Sequence, residues 1–182
     1  MLEDLKGKTA LVTGAGKRTG IGYAIARKMA GMGSQVIVAD LGNIAQEASQ
    51  VPTGTAAEME DIAREFTSQF GVKALAVSVD VTNPDSIGRM VKTVQGKFER
   101  IDVLCNNSGA SFGVPNTVIY YDEQAWMKTI DVNLHGVFRV SRSIVPLMTG
   151  NGGSIINTAS RAGKVPPVFN GAYAVAKAGV IM

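Results

Sequence analysis

A tyrosine and a lysine near the end of the chain have the types and the spacing of a proton-transfer pair. Tyr173 and Lys177 lie four residues apart in a helical segment, which places both side chains on one helix face. A phenol beside a cation can exchange a proton with a substrate oxygen, because the cation favours the phenolate. A solvated helix face would show the same pattern. Two upstream residues add weight to the pair: Ser160 lies 13 residues before Tyr173, and Asn133 lies a further 27 residues back.

A glycine-rich segment between the first apolar run and the first helical run has the composition of a phosphate-binding loop. It reads Thr-Gly-Ala-Gly-Lys-Arg-Thr-Gly-Ile-Gly over residues 13–22. Glycine permits a sharp turn and a close approach to a pyrophosphate, while the start of a helix supplies free N–H groups. An ordinary glycine turn is the alternative, but the strand-to-helix context favours phosphate binding. The candidate contacts are Gly14, Gly16, Lys17, Thr19, Gly20, Ile21 and Gly22.

Asp40 bears on the choice of cofactor. It ends the second apolar run, where an acidic group can accept hydrogen bonds from an adenine ribose, and Leu41 follows it as a further candidate contact. A carboxylate at that position would repel a 2′-phosphate and therefore favours NAD over NADP. Lys17 and Arg18 argue the other way, since either could reach a 2′-phosphate from the glycine loop. We predict NAD with NADP as the alternative cofactor; a role for Asp40 as a strand-end or helix-cap residue stays open.

The elements that must position these residues alternate along the whole chain. Short apolar runs predict five strands, over residues 9–13, 35–39, 74–79, 102–105 and 154–158, with a polar loop over 42–56. Helical spacing predicts helices over about 21–32, 56–70 and 123–148, a further one from Pro84 and a last one from about Gly171. Near-continuous apolar strands alternating with helices predict an α/β fold, a Rossmann-type doubly wound parallel β-sheet with helices on both faces. We expect residues 1–182 to form a single NAD(P)-binding domain.

Six ordered motifs resemble those of the short-chain dehydrogenase/reductase family. They are the glycine segment, Asp80-Val-Thr82, Asn106-Asn-Ser-Gly109, and the residues Asn133, Ser160 and the Tyr173/Lys177 pair, which match the family's Asn–Ser–Tyr–Lys tetrad. The resemblance extends from Lys8 to Met182. It implies an NAD(P)-dependent oxidoreductase that moves hydride between nicotinamide and an alcohol or ketone, with Tyr173 as general acid and base.

The resemblance also implies a role for each motif. Lys177 would stabilise the phenolate and hydrogen-bond the nicotinamide ribose, and Ser160 would hold the substrate oxygen. Asn133 would kink its helix and keep a water in place for proton relay. Asn107 has a purely structural role as an open alternative to cofactor contact. Further cofactor contacts implied by the resemblance are Asp80, Val81, Asn107, Ser108 and Gly109.

The sequence departs from the family pattern at its glycine loop and at its end. Five residues separate Gly14 from Gly20, where the family has three. The sequence stops five residues after Lys177, so we expect a C-terminally truncated member that lacks the family's last strands. Two rival hypotheses therefore stay open. One is a cofactor-binding module without catalytic activity, and the other is an inactive truncated fragment.

Composition limits the partners that the chain can have. The net charge is +3 and the basic residues are dispersed, which argues against nucleic acid binding. Cys105 is the only cysteine, so no intrachain disulfide or cysteine-based metal cage can form, and we expect no metal. No apolar run is long enough for a membrane helix, and we expect a cytoplasmic protein. The family resemblance implies a homo-oligomer and a small alcohol or ketone substrate, whose identity the sequence does not specify.

Overall fold

The computed structural model describes residues 5–42, 53–150 and 152–182, and it contains one parallel β-sheet. The strands are β1 (Thr9–Thr13), β2 (Gln35–Asp40), β3 (Ala74–Ser78), β4 (Val103–Asn106) and β5 (Ser154–Asn157). Their order is β3-β2-β1-β4-β5, and every neighbouring pair is parallel. The chain therefore reverses its direction of travel across the sheet between β1 and β4, which confirms the doubly wound prediction. Most of the predicted 42–56 loop, residues 43–52, lies outside the described residues.

Helices connect the strands. They are α1 (Ile21–Gly31), α2 (Ala56–Phe70), α3 (Pro84–Gln95), α4 (Glu123–Ile130), α5 (Gly136–Ile144) and α6 (Gly171–Ile181). A five-residue π-helical turn (Asp131–His135) joins α4 to α5, and short 3-10 turns cover Val118–Tyr120, Val145–Leu147 and Arg161–Gly163. None of the helices in the described ranges is long and apolar enough to cross a membrane.

Local sequence signals set several helix ends where the sequence predicts them. Asn83 caps α3, because its Oδ1 accepts the backbone N–H groups of Asp85 and Ser86 at 2.9 and 3.1 Å. Helix α2 begins after Thr55, whose side chain accepts the Glu58 N–H. It ends at Gly71 with a φ of 68°, a left-handed conformation that glycine adopts without steric cost.

The helical stretch predicted over 123–148 is not one regular helix. Asn133 is fully buried within its π-helical turn, and its Nδ2 donates to the Thr129 carbonyl at 2.8 Å. That carbonyl would otherwise accept the backbone N–H four residues later, so the backbone widens there. The same Nδ2 also donates to the Ala110 carbonyl, which fixes the turn against the segment that follows β4. The resemblance implies a kink at Asn133, and the structure has a π-helical turn at this residue.

Two apolar clusters cover the two faces of the sheet. On one face, Leu11, Ile37 and Leu104 pack against α3 and α5. On the other face, Val12 and Val38 pack against α1 and α2. The edge strand β5 differs, since Ile155 and Ile156 point to opposite faces and are 43% and 45% exposed. Within the described residues, helices therefore cover the sheet from β3 to β4 and leave β5 open.

Candidate active site

A cavity of about 580 Å³ opens at the carboxyl ends of the strands, where the direction of the sheet reverses. This is the position at which open α/β sheets bind ligands. The segments that follow all five strands contribute to its wall, together with the start of α1 and one face of α6. Its predicted lining residues are Gly14, Lys17, Thr19, Gly20, Ile21, Asp40, Leu41, Asp80, Val81, Asn107, Ser108, Gly109, Tyr173 and Lys177.

The glycine loop forms one end of the cavity. Gly14 has a φ of 65°, and a Cβ atom there would lie 3.0 Å from both Asn107 Nδ2 and Ser108 Cα. A Cβ at Gly22 would overlap the Gly14 carbonyl oxygen, so glycine lets α1 begin directly against β1. Gly22 and Gly16 therefore lie on the side of the loop away from the cavity and do not border it. No side chain caps α1, which leaves its positive N-terminal end facing the cavity.

Asp40 holds the glycine loop as well as bordering the cavity. Its Oδ2 accepts the Gly16 N–H and its Oδ1 accepts the Leu41 N–H, both at 2.8 Å. Burial raises the pKa of the Asp40 carboxyl, and these two backbone hydrogen bonds partly oppose that shift. Asp40 thus ends β2, which is the structural role left open for it, and the residue also lines the cavity.

The two cations of the glycine loop lie in different places. Lys17 borders the cavity. Arg18 instead lies against α2, where its backbone N–H donates to Glu58 at 3.0 Å and its guanidinium pairs with Glu65. The Arg18 guanidinium also lies 5.8 Å from the centre of the Tyr23 ring. Lys17 therefore lies on the cavity wall, while the partners of Arg18 lie on α2, and contact of either cation with a 2′-phosphate stays a prediction.

The middle of the cavity wall is held by side chains that join neighbouring strands. The Asn107 Nδ2 donates to the carbonyls of Thr13 and Gly14 at 3.1 and 3.2 Å, which ties the end of β4 to the end of β1. Asp80 Oδ1 accepts the N–H and the hydroxyl of Thr82 at 2.8 and 2.7 Å and so fixes the turn after β3. Asn107 therefore has the structural role that the sequence left open, and it also lines the cavity.

Tyr173 and Lys177 form the other end of the cavity. The Lys177 side chain is 3% exposed, its Nζ donates to the Thr158 carbonyl at 2.7 Å, and it lies 5.7 Å from the centre of the Tyr173 ring. Burial lowers the pKa of Lys177. A Cβ at Gly109 would lie 2.9 Å from Asn133 Oδ1 and 3.9 Å from Lys177 Nζ, so both atoms face the same small space. Three members of the predicted tetrad are thus close together.

Ser160, the fourth member of the predicted tetrad, does not border the cavity. Its hydroxyl oxygen accepts the Ala162 N–H at 3.1 Å and caps the 3-10 turn of Arg161–Gly163. Asn133 also lies behind the cavity wall, with its Oδ1 buried and without a partner among the described residues. Tyr173 and Lys177 therefore border the cavity directly, while Ser160 and Asn133 do not.

Several residues of the cavity wall were not among the predicted site residues. They are Thr53, Val79, Ala110, Ser111, Val132, Thr158 and Asn170. Thr158 had a signal, because it stands in the same block as Ser160. Asn170 also had one, since it lies three residues before Tyr173. Thr53 and Val132 had none, because only the folded chain brings them to this cavity. The described part of the chain contains no group of three His, Cys, Asp or Glu side chains that could hold a metal.

Fold and site together define an α/β protein with a dinucleotide-type glycine loop at one end of its cavity and a Tyr–Lys pair at the other. A family model described as short chain dehydrogenase matches residues 8–182, and the chain belongs to that family.

Two curated relatives in this family are named as reductases. The chain is 34% identical to 3-oxoacyl-(acyl-carrier-protein) reductase FabG of Vibrio cholerae, over 98% of this chain and 65% of the relative. It is 37% identical to 3-oxoacyl-(acyl-carrier-protein) reductase of Synechocystis sp., over 97% of this chain and 65% of the relative. The chain thus spans about 65% of the length of these relatives.

Solved structures share the fold. Carveol dehydrogenase from Mycobacterium avium in complex with NAD superposes with a TM-score of 0.87 at 27% identity, over 97% of this chain and 62% of that one. L-sorbose reductase from Gluconobacter frateurii, complexed with NADPH and L-sorbose, has a TM-score of 0.84 at 28% identity, over 100% of this chain and 63% of that one. Proteins of this fold therefore include binders of NAD and of NADPH.

Proposed function

We propose that the protein is an NAD(P)-dependent oxidoreductase that transfers hydride between nicotinamide and an alcohol or ketone, with Tyr173 as general acid and base. The position of Lys177 carries this proposal. Its buried Nζ lies next to the Tyr173 ring and borders the same cavity as the glycine loop. A cation inside the protein beside a phenol favours the phenolate, which is the form that accepts a proton from an alcohol.

The residues that line the cavity support a nicotinamide dinucleotide as the proposed cofactor. The glycine loop and the uncapped start of α1 would hold the pyrophosphate, Asp40 the adenine ribose and Lys177 the nicotinamide ribose. The nicotinamide would supply or accept the hydride when it is bound. Asp40 favours NAD, while Lys17 at the cavity wall keeps NADP as the alternative.

Proton transfer would fall to this chain's own residues. In reduction the substrate carbon receives hydride and its oxygen takes the hydroxyl proton of Tyr173, which leaves a phenolate beside Lys177. Lys177 is held in place by the Thr158 carbonyl, and Asn133 lies next to it as the proposed relay residue. Ser160 would have to turn its hydroxyl from the Ala162 N–H towards the substrate oxygen to take its proposed part.

A cofactor-binding module without catalytic activity is the second candidate. The observation that favours it is the orientation of Ser160, whose hydroxyl caps a turn outside the cavity.

An assembly of identical chains belongs to the leading proposal, and it is supported by the exposed side chains of Met127 on α4 and Phe138 on α5. A small alcohol or ketone is the proposed substrate class.

The substitution Tyr173→Phe separates these candidates, because it removes the hydroxyl and keeps the ring. We expect kcat for alcohols and ketones to fall about 100-fold or more, since general acid–base catalysis contributes roughly that much. Cofactor affinity, measured by titration, should change little. Tyr120→Phe is the matched control, because Tyr120 is 77% exposed and lies away from the cavity, and its turnover should equal that of the wild type. Unchanged turnover in Tyr173→Phe would remove Tyr173 from the reaction, whereas cofactor binding without turnover in the wild type would leave the binding module as the better assignment.

A further inference from the structure

Arg18 joins the glycine loop to helix α2 by two contacts. Its guanidinium donates to a carboxylate oxygen of Glu65, and its backbone N–H donates to Glu58 Oε1 at 3.0 Å. The hydrogen bond from Arg18 lowers the pKa of the Glu65 carboxyl, which is therefore ionised at neutral pH. The loop is thus held to α2 at one residue through both its side chain and its backbone.

The same carboxylate also contacts α1. Glu65 Oε1 accepts the Tyr23 hydroxyl at 3.0 Å, and Tyr23 lies in the first turn of α1. The Tyr23 ring stacks on Phe66 of α2, with 5.8 Å between the ring centres, and the Arg18 guanidinium lies against that ring. Glu65 therefore joins the glycine loop, α1 and α2. We call Arg18, Tyr23, Glu58 and Glu65 the α2 clamp.

A second contact with α2 lies two residues earlier in the loop. A Cβ at Gly54, just before α2, would lie 1.7 Å from the Gly16 carbonyl oxygen, and a Cβ at Gly16 would lie 2.8 Å from Met59 Cγ. The backbone at Gly16 thus packs directly against the start of α2. Lys17, which borders the cavity, lies between this contact and Arg18, so both of its neighbours are fixed.

The composition and length of the glycine loop explain why such support matters. Four of the ten residues over 13–22 are glycines, and the spacing from Gly14 to Gly20 is longer than the family pattern. Glycine loses more backbone entropy than any other residue when it becomes fixed. A loop that becomes ordered only on binding lowers the affinity for its ligand, and a loop ordered beforehand does not.

We propose that Arg18 is a positioning residue that, through the α2 clamp, fixes the glycine loop for the pyrophosphate of the cofactor. This inference rests on the proposed function, because it requires NAD or NADP in the cavity. Arg18 does not border the cavity, so its effect passes through the loop. The alternative is direct contact of Arg18 with a 2′-phosphate. That contact would act on NADP alone, whereas both cofactors carry the pyrophosphate.

The test is the Kd of NAD and of NADP, measured by titration calorimetry with the full chain. Arg18→Ala and Glu65→Ala should each raise both constants about 5-fold, as expected for contacts within one network. The double variant should lose no more than either single variant, because both remove the same contact. Exchange of the two charges, Arg18→Glu with Glu65→Arg, should restore both constants to within about 2-fold of the wild type, since the Tyr23 hydroxyl can donate or accept.

Asp61→Ala is the matched control on the same helix. Asp61 forms an ion pair with Arg64, and within the described part of the chain this pair has no hydrogen bond to the glycine loop. The variant should leave both dissociation constants within about 2-fold of the wild type, because an exposed ion pair contributes little. Glu65→Gln removes the charge and keeps the shape, and it should weaken both cofactors as Glu65→Ala does.

The outcomes separate the inference from the proposed function. If Arg18→Ala and Glu65→Gln lower the melting temperature and leave both constants unchanged, the clamp is merely structural; the inference fails and the proposed function stands. A loss confined to NADP in Arg18→Ala would also overturn the inference and assign Arg18 to the 2′-phosphate. If the wild type binds neither NAD nor NADP, the inference and the proposed function both fail.

Discussion

Asp40 shows how one side chain can couple cofactor choice to loop structure. Asp40 borders the cavity, and its two carboxylate oxygens accept the backbone N–H groups of Gly16 and Leu41. A substitution at this position must therefore change two things at once, the charge near the adenine ribose and the anchoring of the glycine loop. Lys17 borders the same cavity but does not anchor the glycine loop. A comparison of substitutions at Asp40 and Lys17 therefore separates the effect of charge from the effect of loop anchoring.

Asp40→Asn should weaken NAD binding and reduce the preference for NAD. An amide can accept with only one of its two ends, so one backbone hydrogen bond is lost, and the Kd for NAD should rise about 10-fold. NADP should lose less affinity, because repulsion of its 2′-phosphate is relieved. Lys17→Ala should do the opposite and weaken NADP more than NAD. Titration calorimetry with both cofactors measures the four constants, and a ratio that moves the same way in both variants would contradict this assignment.

Lys177 is a buried cation that lacks an acidic partner among the described residues. Its ammonium group is satisfied by the neutral carbonyl of Thr158, and burial lowers its pKa. A buried charge paired only with a dipole attracts any anion that forms nearby. Two groups would lie near the Lys177 ammonium in this cavity. They are the Tyr173 phenolate and the oxygens of a bound cofactor.

At the scale of elements, α1 is positioned by a glycine. A Cβ at Gly22 would overlap the Gly14 carbonyl oxygen and would lie 2.6 Å from Asn107 Nδ2. The helix can therefore start against β1 only while position 22 has no side chain. Gly88 in α3 is different, because a Cβ there would meet nothing within 4 Å.

Gly22→Ala and Gly88→Ala should consequently have opposite effects. Gly22→Ala forces α1 away from the loop, and such overpacking costs about 1–3 kcal/mol in the free energy of unfolding. Its Kd for NAD should also rise. Gly88→Ala should stabilise the chain by about 0.5–1 kcal/mol, because alanine loses less backbone entropy in a helix. Urea unfolding of both variants checks this pair, and equal effects would show that the packing at Gly22 is looser than the geometry indicates.

Elements were predictable where local signals act alone. Asn83 and Pro84 mark the start of α3, and Gly71 marks the end of α2. Both of these helix ends were predicted from the sequence. The π-helical turn inside the 123–148 stretch could not be drawn from helical spacing, because it depends on the Asn133 amide reaching the carbonyls of Thr129 and Ala110.

The residues of the candidate site were likewise predictable where they form sequence motifs, and not where only the fold brings them together. The glycine loop and Tyr173/Lys177 are recognisable as motifs, whereas Thr53 and Val132 reach the cavity wall only in the folded chain. The ion pair of Arg18 could not be predicted for a similar reason, because its partner Glu65 lies on a helix far along the chain.

At the scale of the whole molecule, the cavity joins parts of the chain that are distant in sequence. The glycine loop and Asp40 come from the first two strands, while Tyr173 and Lys177 come from the last helix. A dinucleotide that spans the cavity would contact both parts. Because the dinucleotide would bind the folded chain and not the unfolded one, it must raise the free energy of unfolding of the whole folded chain.

The size of that stabilisation follows from mass action. At about 100 times its Kd, NAD should raise the free energy of unfolding by about 2.7 kcal/mol, as measured by urea titration with and without the cofactor. At the same NAD concentration Gly22→Ala should gain less, because its glycine loop is displaced and its Kd is higher, while Gly88→Ala should gain as much as the wild type. A wild-type chain that gains nothing would contradict binding at this cavity. An equal gain in Gly22→Ala would mean that the dinucleotide binds without the glycine loop.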